Sequence, residues 1–225
     1  MLGHAGRWRL RARPWGPDLA PAMALRAALF RGGADDRDAF DAGATHLTVE
    51  DADGRVAAYA RAAVQRGAEM GRGYAARFYD LAPLARAFPA AVEVGRVCTG
   101  DAGPEPARLL LAGLAALVER EGVAVLYGCA SFPGTAPPAA LGRLAQHVAH
   151  PWGPRRRAAE TVPIPSGGTG PLPPMLRLYL SLGAGVSDHA VIDRDLGTVH
   201  VLVGLPVAAI PPARARALRG LLAPA

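Results

Sequence analysis

A carboxylate and a guanidinium stand three residues apart in the run Val92-Glu-Val-Gly-Arg-Val-Cys98, at Glu93 and Arg96. A carboxylate can take a proton from an attacking amine, and a guanidinium can hold an anion through paired N–H donors. Strand side chains three apart point to opposite faces, so Glu93 and Arg96 share a face only if the strand bulges. Gly95 between them is where such a bulge would form, or where a ligand could approach the backbone. The spacing leaves two readings open: a structural ion pair or edge charge, and a general base for an amine nucleophile.

Other chemistries are excluded by residue type. The chain has no lysine and no asparagine, which removes a Schiff-base or P-loop lysine, a Cys-His-Asn triad and an Asn-linked glycan. Ser131 sits in Cys129-Ala-Ser-Phe-Pro133 without the two glycines of a nucleophile elbow. His147 and His150 are three apart but far in sequence from Cys129, too sparse a set for zinc, so no metal is expected. Gly128 and Gly134 do not form a dinucleotide fingerprint.

All 25 basic residues are arginine, and the net charge is +6. That balance predicts an acidic partner: an anionic membrane surface or an acidic carrier protein. Nucleic acid is the weakest partner class, because aromatics make up 6% of the chain and do not interleave with a basic stretch. Two cysteines, Cys98 and Cys129, with no CxxC and no secretory signal read as reduced thiols in a cytoplasmic protein. No apolar run is long enough to span a membrane.

The elements that would position these residues follow from periodicity. A strand is expected over Trp8–Arg13, then a helix over Ala20–Arg31 capped by Asp18, with Arg26 beside Phe30 on one side. A polar loop, Gly32–Gly43, carries Asp35, Asp36, Asp38 and Asp41. His46–Glu50 and Arg55–Arg61 flank Asp51-Ala-Asp-Gly54 as a hairpin, and residues 62–77 read as an irregular excursion before a short helix near Leu81–Phe88. Val92–Cys98 (strand), Glu105–Gly122 (helix striped by Leu110, Leu114, Leu117 and Val118) and Val123–Ala130 (apolar strand) make one βαβ crossover. A helix over Ala139–His150 follows, then a Pro/Gly/Arg-rich loop at 151–174 holding Arg155, Arg156 and Arg157. The chain ends with a helix (Met175–Leu182), two strands (His189–Ile192, Val199–Leu205) and a helix from Pro211–Pro212. The sum is an α/β chain with a mixed sheet flanked by helices, expected as one domain over 1–225.

Four stretches make the sequence recognisable: Glu93-Val-Gly-Arg96 with Cys98, Leu126-Tyr-Gly-Cys-Ala-Ser-Phe-Pro-Gly-Thr135, Leu172–Leu180, and Ser187-Asp-His-Ala-Val-Ile-Asp-Arg-Asp-Leu-Gly-Thr198. With Arg26, Phe30, Asp36, Asp38, Asp41, His46 and Gly73-Tyr74…Phe78-Tyr-Asp-Leu81, they resemble the ornithine lipid N-acyltransferases over about residues 5–220. Those bacterial enzymes join a 3-hydroxyacyl chain from acyl carrier protein to the α-amine of L-ornithine. They belong to a GNAT-like group that includes the acyl-homoserine-lactone synthases.

The resemblance implies a GNAT-like mixed sheet splayed around a pantetheine arm, and no dissociable cofactor, because the donor thioester rides on the phosphopantetheine of the carrier. It implies catalytic roles for Glu93 and Arg96. Substrate contacts are implied for Arg26, Phe30, Asp38, Asp41, Arg61, Phe78, Cys98, Ser131, Phe132, Asp188, His189 and Asp193. The 35–41 loop would hold the ornithine side-chain ammonium and an arginine its carboxylate, while both cysteines pack rather than carry acyl groups. Peripheral contact with the inner face of an anionic membrane is implied by an amphiphilic product. One stretch departs from the family: Val97-Cys-Thr-Gly-Asp-Ala-Gly-Pro-Glu-Pro106 lacks the usual basic segment, so phosphate binding falls to the helix start at Pro104–Ala107, with Arg108 one turn in. Two alternatives remain: a related N-acyl amino-acid or homoserine-lactone synthase, and an inactive GNAT-like scaffold that binds acyl carrier protein or lipid.

Overall fold

The computed structural model describes residues 2–222; Met1 and residues 223–225 of the expected single-domain span lie outside them. The chain begins with β1 (Gly3–Ala5), β2 (Trp8–Arg13), α1 (Ala20–Arg31), β3 (Thr45–Glu50) and β4 (Val56–Arg66). Next come β5 (Tyr79–Asp80), α2 (Ala82–Ala87), β6 (Ala90–Thr99), α3 (Pro104–Glu121) and β7 (Val125–Pro133). The remainder is β8 (Arg155–Arg156), β9 (Thr161–Pro163), α4 (Pro174–Ser181), β10 (Gly185–Asp193), β11 (Thr198–Pro206) and α5 (Pro212–Gly220). Two compact units divide the described residues, one built from 2–64, 94–122 and 212–222, the other from 65–93 and 123–211.

In the first unit β1, β2, β3 and β4 pair antiparallel in that order, and β6 is the next strand beside β4. Side-chain alternation gives this sheet two different faces. One face is apolar: Leu10, Leu47, Val49, Ala58 and Ala60 are fully buried, and α3 lies against it. Gly113 of α3 is where the helix meets Leu10, since a Cβ there would stand 2.8 Å from Leu10 Cδ2. The opposite face carries His46, Tyr59, Arg61 and Arg96; Leu19, just before α1, and Ala22 and Arg26 on α1 cover it.

In the second unit β6 enters parallel to β7 through three pairs that end at Glu93↔Tyr127. From there β7 pairs antiparallel with β11, β11 with β10, and β10 with β9. One face of β7, β10 and β11 sends Phe132, Ala190, Val199, Val201 and Val203 into a core with Leu141, Leu144 and Leu176. The other sends Tyr127, Val191 and Leu202 against Met70, Tyr79, Leu81 and Leu84. The βαβ crossover, the hairpin and the late strand pair thus form where periodicity predicts, giving a mixed sheet flanked by helices.

Several expectations need correction. Asp18 lies in a 3-10 turn before α1 and its side chain makes no capping bond; Leu19 holds the cap position. β4 runs on through Arg66, so 62–66 are strand, and the excursion that follows is two 3-10 turns at Gly67–Arg72 and Ala75–Arg77. Ala139–His147 winds as a 3-10 helix instead of an α-helix. The 151–174 break contains β8 and β9, so its arginine run pairs as strand: Arg155 lies opposite Asp80 and Arg156 opposite Tyr79.

Candidate functional site

In the first unit three buried arginines converge on three aspartates, and the half-buried Arg31 adds a fourth cation 3.2 Å from Asp36 Oδ1. Arg26, wholly buried on α1, bonds Asp36 Oδ2 at 3.0 Å, the Asp36 carbonyl at 2.7 Å and Asp41 Oδ1 at 2.7 Å. Arg61 reaches the same Asp41 oxygen at 2.8 Å and also pairs with Asp38. Arg96 bonds Asp36 Oδ2 at 2.8 Å and lies 3.6 Å from Asp38 Oδ2. Each of the three buried guanidiniums also lies over an aromatic ring: Arg26 at 5.5 Å from Tyr59, Arg61 at 5.7 Å from Phe40, Arg96 at 5.5 Å from Phe30. The expected neighbour of Phe30 was Arg26; the ring instead receives Arg96.

Each buried charge of this cluster meets an opposite one, which is what allows it to be buried, while Arg31 keeps part of its side chain exposed. Burial works against the charge on Arg26, but its bond to Asp41 and the nearby Tyr59 and Asp36 raise its pKa above the ordinary value. Burial likewise opposes ionisation of Asp41, yet Arg26, the Asp38 N–H and Arg61 hold its carboxyl below the usual range. His46 closes the cluster: Nε2 lies 3.0 Å from the Asp41 carbonyl, an acceptor, so Nδ1 accepts from Tyr59 Oη at 2.7 Å. Burial pushes the His46 pKa down and the Tyr59 hydroxyl up to about 12.

Arg96 attains its place through a φ of 53°, the one positive φ at a non-glycine among the described residues. The break in strand geometry expected at Gly95 therefore falls at Arg96. A left-handed residue inside a strand reverses the alternation that would otherwise set the side chain's face.

Glu93 belongs to the second unit and is engaged by N–H donors. Its Oε2 accepts from Gln65 Nε2 at 3.1 Å and the Tyr74 N–H at 3.0 Å, and Oε1 from the Ala75 N–H at 2.6 Å. Gln65 in turn accepts from the Tyr127 hydroxyl. Burial, then the Glu93 charge, drives the Tyr127 pKa well up. A Cβ on Gly73 would collide with the Glu93 carboxylate, so the glycine lets the 73–75 backbone close over it.

The same unit holds a polar row at the end of the β10–β11 hairpin. Thr198 lies opposite Asp193, and His200 opposite Val191, two residues along on the same face. Tyr79 Oη donates to the His200 carbonyl at 3.0 Å and sits 3.1 Å from His200 Nδ1. With its single proton on that carbonyl, the hydroxyl accepts from Nδ1–H, leaving the lone pair on Nε2. Burial holds the His200 pKa down to about 4. Phe78 packs edge-on to the His200 ring at 4.8 Å. His189 Nδ1 lies 2.5 Å from Asp188 Oδ1, and its ring centroid lies 5.2 Å from that of Tyr79.

The residues singled out in sequence thus fall into separate groups. Arg26, Phe30, Asp38, Asp41, Arg61 and Arg96 form the ion cluster, and Cys98 packs beside it with Tyr59. Phe78, Asp188, His189 and Asp193 gather around Tyr79 and His200. Phe132 is a core residue, while Ser131, opposite His200 on β7, is exposed. The sequence assigns no role to His200, Gln65 or Tyr59, nor to Tyr79, Tyr127 and Phe40, which lie within stretches it singles out. The signal for His200 was present: a histidine alternating with Val199 and Val201 shares a face with Thr198. Burial pushes the Cys98 thiol up to about 12, so it stays protonated. A surface cavity lined by Gly142, Arg143, Gln146, His147 and Gly167 includes none of these side chains. Among the described residues no cluster of His, Cys, Asp and Glu is arranged to hold a metal ion, and no helix is long and apolar enough to cross a membrane.

The fold is GNAT-like, and residues 25–102 match the acetyltransferase (GNAT) domain family. The apo crystal structure of TofI superposes with a TM-score of 0.52 at 16% identity, covering 91% of this chain and 98% of that one. FeeM, an N-acyl amino acid synthase from uncultured soil microbes, gives 0.50 at 13% identity over 89% and 93%; these two likenesses speak for the fold alone. Sequence relatives are more informative. The chain is 32% identical over 187 residues to the L-ornithine N(alpha)-acyltransferase of Rhodobacter capsulatus, covering 74% of this chain and 72% of that protein. It is 30% identical over 203 residues to the Rhizobium meliloti protein of the same name, covering 78% and 68%. The chain belongs to the L-ornithine N(alpha)-acyltransferase family.

Proposed function

We propose that the chain transfers a 3-hydroxyacyl group from acyl carrier protein to the α-amine of L-ornithine. The observation that carries this reading is the shared name of its relatives, matched across most of the chain at 30–32% identity. In the reaction the amine attacks the thioester carbon directly. A C–N bond forms, the C–S bond breaks, and the amine's proton ends on the released pantetheine thiolate.

The donor thioester is carried on phosphopantetheine, so no separate cofactor is needed. An acidic carrier protein suits a chain of net charge +6, and Arg155, Arg156 and Arg157 are exposed. The same charge supports peripheral contact with an anionic membrane at the cytoplasmic face, where the amphiphilic product would partition. Glu93 is assigned to positioning: with three N–H donors on its oxygens, it fixes the 73–75 backbone. The ion cluster, with its buried charges paired, is assigned to holding α1, the 35–41 loop, β4 and β6 in one arrangement.

The test is thiol release from 3-hydroxyacyl carrier protein in the presence of L-ornithine and other candidate amines. Release with ornithine is expected. Release only with another amine would move the chain to a related N-acyl amino-acid synthase, and none with any amine would make it a binding scaffold.

A further inference from the structure

The polar row at the end of the β10–β11 hairpin contains four buried atoms that meet no hydrogen-bond partner: His189 Nε2, Asp193 Oδ2, Thr198 Oγ1 and His200 Nε2. His189 is 0% exposed, His200 2% and Asp193 4%. A single buried orphan costs stability, and four within one short stretch of hairpin are a reason to look for a ligand. We propose that this row is a binding site for a primary ammonium group, the one on the side chain of the amine acceptor. The assignment deepens the reading of ornithine as acceptor and rests on it.

The chemistry of the orphans selects the ligand. Asp193 Oδ1 is fixed by the N–H groups of Asp195 and Leu196 at 3.0 and 3.1 Å, so Oδ2 remains as an acceptor. The Tyr79 contacts leave the His200 lone pair on Nε2, a second acceptor. The Thr198 hydroxyl, directly across from Asp193, is a third. A primary ammonium has three N–H donors spread tetrahedrally and the positive charge that a buried Asp193 calls for.

Charge also distinguishes the two nitrogens of ornithine. The attacking α-amine must be neutral, whereas the side-chain nitrogen keeps its proton through the reaction. A carboxylate favours the charged form and therefore suits the nitrogen that does not react. Asp188, whose Oδ1 lies 2.5 Å from His189 Nδ1, has a side chain 62% exposed. The sequence assigns the ammonium to the 35–41 loop; there Asp36 and Asp41 bond Arg26, Arg61 and Arg96, and Asp38, whose Oδ2 has no hydrogen bond, is already ion-paired with Arg61 and lies 3.6 Å from Arg96.

The experiment follows the imidazole nitrogens of ¹⁵N-histidine-labelled protein while L-ornithine, 1,4-diaminobutane or L-norvaline is added. Norvaline has the α-amine and carboxylate of ornithine but lacks the side-chain nitrogen. Ornithine and diaminobutane are expected to shift His200 Nε2, and norvaline is not. Asp193→Asn, which keeps Oδ1, and Thr198→Val are expected to weaken ornithine binding, by at least tenfold for Asp193→Asn. Melting curves verify that both variants are folded, and Thr198→Val carries the test if Asp193→Asn is not. Equal weakening of ornithine and norvaline would overturn the side-chain assignment. Thiol release by the wild type separates the two readings. Ornithine turnover with no His200 shift and an unchanged KM in the variants would sink the ammonium site alone. A His200 shift without turnover would sink only the choice of acceptor reaction. Absence of both would remove both.

Discussion

Arg96 Nε lies 2.8 Å from Asp36 Oδ2, and the residue reaches that carboxylate from a backbone φ of 53°. The ion pair thus holds a β-strand residue in the left-handed region, which costs a residue with a Cβ roughly 1–2 kcal/mol. Replacing Arg96 by alanine keeps that cost and removes one of the cations on the buried Asp36, which Arg26 and Arg31 still hold, so a loss of about 1–3 kcal/mol is expected. Arg96→Gly loses the same pair but relieves the backbone. We expect it to be more stable than Arg96→Ala by about 1 kcal/mol, the reverse of the usual order within a strand. Urea unfolding of the two variants decides the point; alanine equal to or better than glycine would mean the conformation is not strained.

Most of the first unit was legible in sequence because its signals are local. α1 falls at Ala20–Arg31 as expected, and α3 ends at a left-handed Gly122 after a stripe of four buried apolar residues. The site was legible as a set of residue types but not as a set of contacts. Arg26 and Phe30 share a helix side by spacing, yet Phe30 receives Arg96 from β6, a partner fixed only once the sheet forms. Glu93 reads as a candidate base from its own strand, which does not show that Tyr74 and Ala75 bring their N–H groups to it from 19 and 18 residues away.

Those N–H contacts give Glu93 a testable role. Glu93→Gln turns one acceptor oxygen into a donor facing N–H groups, at a cost of about 1–3 kcal/mol. Gly73→Ala leaves the carboxylate intact but drives a Cβ into it, with a loss of similar size. If Glu93 acts by positioning the turn, both variants lower kcat while the KM for the acyl donor stays within about threefold. Full turnover in Gly73→Ala beside a dead Glu93→Gln would return the carboxylate to a direct role in proton transfer.

Direct attack on the thioester predicts that neither thiol is acylated. Cys98 is buried against Leu19, Ala22 and Tyr59, with its thiol pKa pushed up to about 12 by that burial. Only a thiolate would attack a thioester at a useful rate. Cys98→Ala removes one buried sulfur and should cost roughly 1 kcal/mol while leaving turnover within about twofold. Mass spectrometry of the enzyme quenched during turnover should find no acyl adduct at Cys98 or Cys129; an adduct that forms and decays at the rate of catalysis would replace direct attack with a covalent intermediate.

His200 makes stability depend on pH in a direction its burial fixes. Desolvation holds its folded pKa at about 4, against about 6.5 for an unfolded histidine. Between those values the unfolded chain binds a proton that the native state refuses. The stability this neutral ring contributes is therefore intact above about pH 6.5, falls as pH drops, and is fully lost below about pH 4. The difference is of order 3 kcal/mol. His200→Phe removes the titration while keeping an aromatic ring beside Tyr79. Its unfolding free energy should consequently decline less steeply between pH 7 and 4.5 than that of the wild type, whatever its stability at neutral pH. Parallel pH profiles for the two proteins would show that His200 takes up its proton in the folded state, and that the ring is not the neutral acceptor the Tyr79 contacts describe.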